Sequence, residues 1–316
     1  MSEVNTEDSL VRFRYAQKLV DGRDEFINQK VIEPTGQPPE PFMRVTDDII
    51  SIRDARHDIR SVYLIPVVVA IWLLTIFFIS DLGLDSSAVR FSQKMLKHYK
   101  LKESEAGYLS AQQQEEYSFY KTVFDEVGNY SIMSHIKGVY LYGSEGQRNG
   151  LRTGFIALSV SLFFNIVLTV FFIRTLRPTD IFFDRKRGIV YTWFYGRVAA
   201  CRFENLGFLE KSSGIVLYLY AEKKKGKDGY DMLPITIQPT RKVILNTARD
   251  NNDFFQQIFN FMENGKSAVI TGEQFYRPQP KTYFMIDKKP EPFEERLEKL
   301  LEREHELPKL YRYLQE

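Results

Sequence analysis

Residues Val62 to Ile79 read VYLIPVVVAIWLLTIFFI, and residues Gly154 to Ile173 read GFIALSVSLFFNIVLTVFFI; neither run contains Asp, Glu, Lys, Arg or His. As helices they would measure about 27 and 30 Å, close to the roughly 30 Å hydrocarbon core of a bilayer. The first run holds thirteen Leu, Ile, Val or Phe and the second fourteen. Each such residue gives about −0.3 to −0.6 kcal/mol on an insertion scale, so either run gains roughly 4–8 kcal/mol before polar penalties. A buried core helix rarely extends so far without interruption. The reading is therefore two transmembrane helices, residues 62–80 and 154–173. The first begins behind sixty residues of charged sequence, unlike a cleavable signal peptide.

The flanks set the orientation. Arg53, Arg56 and Arg60 precede the first span and Arg174 and Arg177 follow the second, against Arg148 and Arg152 on the opposite side. Asp81 and Asp85 follow the first span directly. Five cations to two places both termini in the cytoplasm. Within the second span Ser161, Asn165 and Thr169 recur at i, i+4 and i+8 and share one helix face. They form either a helix–helix seam, within the chain or between copies, or a face on which Ser and Thr bond their own i−4 carbonyls and only Asn165 seeks a partner. With no ionisable group inside either span, a proton or ion pathway is not expected.

Four further segments surround the spans. Residues 1–61 form a cytoplasmic lead. In it Ser9–Gln29 reads as a short helix, Glu33–Pro41 (EPTGQPPEP) as a proline-rich linker, and Asp47–Arg60 as a helix running into the membrane. Asp54, His57 and Asp58 then lie within one turn and read as an ion-paired helix surface. Residues 81–153 form a helical segment outside the cytoplasm, of two or three helices, with Lys137–Gly154 as a glycine-punctuated loop. Its Tyr108, Tyr117, Tyr120, Tyr130, Tyr140 and Tyr142 suit a small amphipathic core, a membrane interface or a partner surface.

Residues 174–272 change to β character. Short β-branched and aromatic runs fall at Ile181–Asp184, Ile189–Phe194, Val198–Phe203, Leu206–Glu210, Ile215–Glu222 and Tyr230–Ile237, separated by DRKRG, YGR, KSSG and KKKGKDG. These predict one antiparallel sheet curled into a barrel or sandwich. The helix Asn251–Glu263, with Phe254, Phe255, Ile258, Phe259 and Met262 on one face, closes it. Residues 273–316 form a helical tail in which Phe293, Leu297, Leu300 and Leu301 make the apolar stripe. The fold class expected is an α+β membrane protein.

No GxSxG, HExxH, GxxxxGK[ST] or GxGxxG pattern is present. His57, His98, His135 and His305 are scattered, so no metal site is proposed, and Cys201 in VAACRF reads as a core residue. The 43 Lys and Arg against 41 Asp and Glu leave a formal charge of +2, without the basic excess of a nucleic-acid binder. These features predict a non-enzyme without cofactor. The hairpin tips carrying Arg185, Lys186 and Arg187, and Lys223, Lys224, Lys225 and Lys227, are basic. They are read as orienting the β domain against an anionic leaflet, where each cation gains about 1 kcal/mol. Solvated tips would carry the same composition.

The order of strands then one amphipathic helix resembles the pleckstrin-homology-like domains that bacteria attach to membrane spans. RTLRPTD (174–180), IFFDRKRGIVY (181–191) and DMLPITI (231–237) are similar to segments of a family of proteobacterial two-span membrane proteins with a β-rich cytoplasmic domain. Such proteins lie near type VI secretion or Rhs-type toxin genes. The resemblance implies an inner-membrane immunity or accessory protein that binds a toxin or secretion component; the Ser161, Asn165 and Thr169 face would serve a homo-oligomer through the spans if its seam lies between copies. The other expectation is a membrane scaffold or sensor whose PH-like domain binds anionic lipid or a cytoplasmic partner.

Overall fold

The computed structural model describes residues 16–312, apart from 29–31, 126, 212–213, 225–228, 241–245 and 280. Strands are β1 (Gln17–Lys18), β2 (Phe42–Val45), β3 (Ile49–Ile52), β4 (Leu176–Arg177), β5 (Ile181–Asp184), β6 (Ile189–Phe194), β7 (Arg197–Arg202), β8 (Gly207–Lys211), β9 (Gly214–Glu222), β10 (Tyr230–Ile237), β11 (Phe275–Tyr276) and β12 (Met285–Ile286). Helices are α1 (Arg23–Ile27), α2 (Arg56–Ile59), α3 (Ile65–Asp81), α4 (Ser86–Ala106), α5 (Ala111–Val123), α6 (Ile132–Tyr142), α7 (Glu145–Arg174), α8 (Ala248–Asn264), α9 (Phe293–Arg303) and α10 (Leu307–Arg312). The chain forms two compact units, and the helical one, Ile65–Phe172, is inserted into the sequence of the other.

The β unit is built on an antiparallel meander. β2 pairs with β3, β3 with β5, β5 with β6, β6 with β7, and β9 with β10. Strands β7 and β8 run in succession along one edge of β9, from Ala199↔Ala221 to Lys211↔Gly214, interrupted by the 3-10 turn Phe203–Asn205. The other edge of β7 takes β6, and that of β8 takes β1, so the sheet bends at the interruption. It curls far enough for the Ala55 N–H, just beyond β3, to donate to the Thr236 carbonyl in β10 at 2.9 Å. Strand β9 (GIVLYLYAE) is buried at eight of its nine positions, so it reads as a continuous apolar run; Tyr218 meets Tyr311 and Tyr220 donates to Glu306, both in the tail.

Helix α8 starts at a capping box in which Thr247 and Asp250 satisfy each other's backbone N–H. Its Phe254, Phe255, Ile258 and Phe259 are buried, with Phe255 against Phe26 and Phe208, and Phe254 stacked on Phe42. In the tail, Phe293 meets Tyr191 and Trp193 edge-on, while Leu297, Leu300, Leu307 and Tyr311 are buried. Gly207 permits the last contact, since a Cβ there would lie 2.6 Å from the Tyr311 ring. Cys201 is fully buried in β7, and burial holds its thiol well above the ordinary range.

Two expectations are corrected. Asp47–Arg60 does not run as one helix: Ile49–Ile52 is a strand paired to β5, and helix begins only at Arg56. The Ile-Ile-Ser-Ile run is β-branched and sits in the core, which outweighs the helical spacing of the charges after it. Lys137–Gly154 is not a loop but the second half of α6 and the start of α7. Gly138 there is a packing residue rather than punctuation, since a Cβ would meet Val123 at 3.1 Å and Phe119 at 3.4 Å. The Ser9–Gln29 helix falls partly outside the described residues; within them the chain forms β1, a 3-10 turn and α1.

In the helical unit, α3 and α7 are long and apolar enough to cross a membrane. Only 6% and 11% of their most apolar windows are covered by the rest of the protein. Leu73, Phe77, Phe163 and Phe171 are 61%, 60%, 63% and 60% exposed, which is the opposite of a soluble protein's core helix. Pro66 has no N–H to give back to Val62, and the turn before α3, Arg60–Leu64, widens to π geometry. Helices α4, α5 and α6 enclose a small core containing Tyr99, Tyr117, Val123, Phe124 and Val139. The tyrosines divide: Tyr117 is buried and the Tyr130 hydroxyl accepts from the Leu84 N–H at 2.7 Å, whereas Tyr108 and Tyr140 are exposed.

Candidate functional site

The chain leaves the β unit after β3 and returns to it before β5, and buried polar side chains gather on both of these segments. His57 is buried. Its Nε2 lies 3.2 Å from the Pro178 carbonyl and its Nδ1 3.1 Å from the Tyr283 hydroxyl. A carbonyl only accepts, so Nε2 carries the proton and Nδ1 accepts from Tyr283. Burial lowers the His57 pKa to about 4, against the pull of Asp54 and the Pro178 hydrogen bond. Arg60 donates to the Thr282 hydroxyl and carbonyl at 2.8 and 2.7 Å, and its guanidinium stacks 4.0 Å from the Tyr283 ring centre.

On the returning segment Asp180 accepts from Gln279 at 3.0 Å and Ser51 at 3.5 Å, while its other oxygen is buried with no partner among the described residues. Burial raises its pKa to about 6, although Arg177, Arg53 and these hydrogen bonds pull it down. Glu40 takes Arg53 at 3.0 Å and Arg277 at 2.9 Å. Hydrogen bonds and ion pairs thereby tie residues of 53–60, 177–180, 277–279 and 281–283 together. These contacts make a joint between three segments of the β unit itself. Among the described residues no cluster of His, Cys, Asp and Glu could hold a metal. Asp54, grouped with His57 by sequence, turns instead to Arg56, which it holds at 2.6 and 2.8 Å; the Asp58 side chain lies outside what is described.

The same end of the β unit carries an exposed face. Hairpin β6–β7 turns through Tyr195 (φ 50°) and Gly196 (φ 73°), a left-handed pair that matches the twist of its strands. Asp287 holds the turn by accepting from the Tyr195 N–H at 2.6 Å, and its carbonyl takes the Trp193 indole N–H at 3.0 Å. Just before Asp287, Met285–Ile286 pairs in parallel with Leu176–Arg177. Phe284, Ile286 and Tyr195 are 71%, 60% and 60% exposed, flanked by exposed Lys281 and Lys288. Sequence reading missed this face; its signal was the apolar YFMI inside the basic frame KTYFMIDKK.

The two basic turns do not share an end of the sheet. By register, Ile52 pairs with Ile181, Thr192 with Ala199 and Ala199 with Ala221, so the β9–β10 turn projects at the end where the chain leaves β3. Lys223 and Lys224 are exposed there, while Lys225 and Lys227 lie outside the described residues. The Asp184–Ile189 turn is at the other end, where Ile49 pairs with Asp184. Its Arg187 engages Glu294 at 2.9 Å and Asp184 at 3.5 Å, and Arg185 donates to the Glu263 carbonyl; Lys186 is exposed.

Within the helical unit, Ser161 and Asn165 are buried against α3. The Asn165 amide donates to the Thr75 hydroxyl and, at 3.2 Å, to the Ile71 carbonyl. Thr75 lies 2.6 Å from the Ser161 hydroxyl and donates to Ile71, so one threonine gathers the network. Thr169 accepts from the Trp72 indole at 3.1 Å. The partner residues Thr75 and Trp72 were visible as the two polar-tipped side chains in the middle of the first run. No known protein family, characterised protein or solved structure matches the chain.

Proposed function

We propose that this is a two-span inner-membrane protein with both termini cytoplasmic, whose work is binding rather than catalysis. The observation that carries the reading is the insertion of an uncovered apolar helical pair between two adjacent strands of one sheet. Because β3 and β5 pair, the chain must return to the side it left, which supports an even number of crossings. A curled, largely antiparallel sheet, nine of whose ten strands precede α8, supports a PH-like β unit. Tyr195, Phe284 and Ile286, with Lys223, Lys224, Lys281 and Lys288, then rest on the cytoplasmic leaflet, each cation gaining about 1 kcal/mol.

Given the family resemblance, the bound partner is a toxin or secretion component, and the protein acts as an immunity or accessory factor through surface contact. The exposed apolar and basic face favours a second reading, in which lipid contact makes the β unit a membrane scaffold or sensor. A single cysteine placed at Tyr108 or at Lys224 in a Cys201→Ser background tests the topology. An impermeant maleimide should label the first and spare the second in intact spheroplasts. Labelling of Lys224→Cys alone would reverse the orientation, and release of the chain by alkaline carbonate would remove the spans. Chromosomal deletion separates the two readings: self-intoxication supports immunity, and lost assembly or signalling supports the scaffold.

A further inference from the structure

Arg148 and Arg152 sit on the flank of the second span where the cation bias runs against them. They line a groove of about 1010 Å³ between α6 and α7. Helix α6 contributes Met133, Ile136 and Tyr140 to it, and α7 contributes Phe155, Ile156 and Val160. Met133 and Tyr140 are both 74% exposed, so the apolar wall is open. Lys137 on α6 completes a set of three cations. Among the described residues Lys137 and Arg152 have no ion-pair partner, and Arg148 is held by the Gly143 carbonyl at 2.9 Å through Nε alone.

We infer that this groove holds an anionic glycerophospholipid, with its phosphate at Lys137, Arg148 and Arg152 and an acyl chain along Phe155, Ile156 and Val160. Arg148 and Arg152 are one helical turn apart and present their guanidinium groups on one face, a spacing suited to a single phosphate. From Arg148 and from Arg152 to Phe155 the helix rises about 10 and 5 Å, which brackets the roughly 5–8 Å depth of a headgroup layer. The charges therefore lie at headgroup depth where the lining turns apolar, which a peptide or a free anion would not require. The inference rests on the membrane reading above and explains why cations persist on the disfavoured flank.

The test uses full-length protein, in detergent, with equimolar phosphatidylglycerol and phosphatidylethanolamine added, read by native mass spectrometry. The unaltered chain should retain the anionic lipid over the zwitterionic one by about tenfold or more, as expected for several cation–phosphate contacts. Lys137→Gln with Arg148→Gln and Arg152→Gln should abolish the preference, and Arg148→Lys with Arg152→Lys should keep most of it. Equal retention of both lipids by the unaltered chain, or an unchanged preference in the Gln variant, would overturn the inference. So would disulfide-linked dimers of Met133→Cys that exclude lipid, because the occupant would then be a second copy. Carbonate extraction run in parallel separates the two failures: a released chain sinks the membrane reading and this one together. An integral chain without lipid preference sinks this one alone.

Discussion

His57 and Asp180 are buried within the same joint and carry opposite linkages to pH. The His57 pKa is lowered to about 4, so acid below about 6.5 protonates the unfolded chain first and stability falls with falling pH. The Asp180 pKa is raised to about 6, so stability is fully present below about 4 and falls as pH rises towards 6. Each shift amounts to about 3 kcal/mol at most, and between pH 4 and 6 the two slopes cancel. The unaltered protein in detergent should therefore show a nearly flat melting temperature over that window. His57→Gln should leave a melting point that drops as pH rises, and Asp180→Asn one that drops as pH falls. Parallel profiles for all three proteins would show that the joint is solvated. None of this pairing was legible in sequence, because Pro178, Asp180 and Tyr283 come from segments more than a hundred residues beyond His57.

Among the elements, α3 and α7 are joined through polar side chains that lipid cannot satisfy. Thr75→Val leaves the Asn165 amide with only the Ile71 carbonyl, whereas Thr75→Ser keeps the hydroxyl that gathers the network. The valine variant should lose on the order of 1 kcal/mol of helix–helix stability and the serine variant much less, measured by denaturant unfolding in mild detergent. Equal behaviour of the two would mean that packing alone holds the pair. The face of Ser161, Asn165 and Thr169 was readable from helical spacing, since three polar residues in an apolar run leave few choices. Strands β5, β6, β9 and β10 were readable for the complementary reason: short β-branched and aromatic runs bounded by Gly and Lys turns fix their extent. Strands β2 and β3 were not: they pair with each other across a short turn, but the outer neighbours β5 and β11 lie beyond the inserted helices, and the charges after β3 follow helical spacing.

For the whole molecule, the pairing of Ile52 with Ile181 and the His57–Pro178 contact hold the two segments that flank the insertion side by side. Replacing residues 65–172 by a short Gly/Ser linker should therefore leave a β unit that folds, with α8 and the tail completing its core. The shortened chain should be monodisperse without detergent and should sediment with phosphatidylglycerol vesicles through the Tyr195, Phe284 and Ile286 face. Lys223→Ser with Lys224→Ser should weaken that sedimentation several-fold, while Lys186→Ser, at the far end of the strands, should not. Equal loss in both would mean that net charge, not the orientation of the face, governs attachment.

The separation of β3 from β5 in the sequence also has a consequence for synthesis. The ribosome makes 128 residues between Ile52 and Ile181, and at about 5–20 residues per second this takes roughly 6–26 s. Throughout that interval β3 awaits its neighbour β5, and under the topology proposed above both hydrophobic segments enter the membrane in the same interval. Under that topology, a nascent chain whose second segment fails to cross keeps β5 away from β3, so the sheet closes only after both crossings.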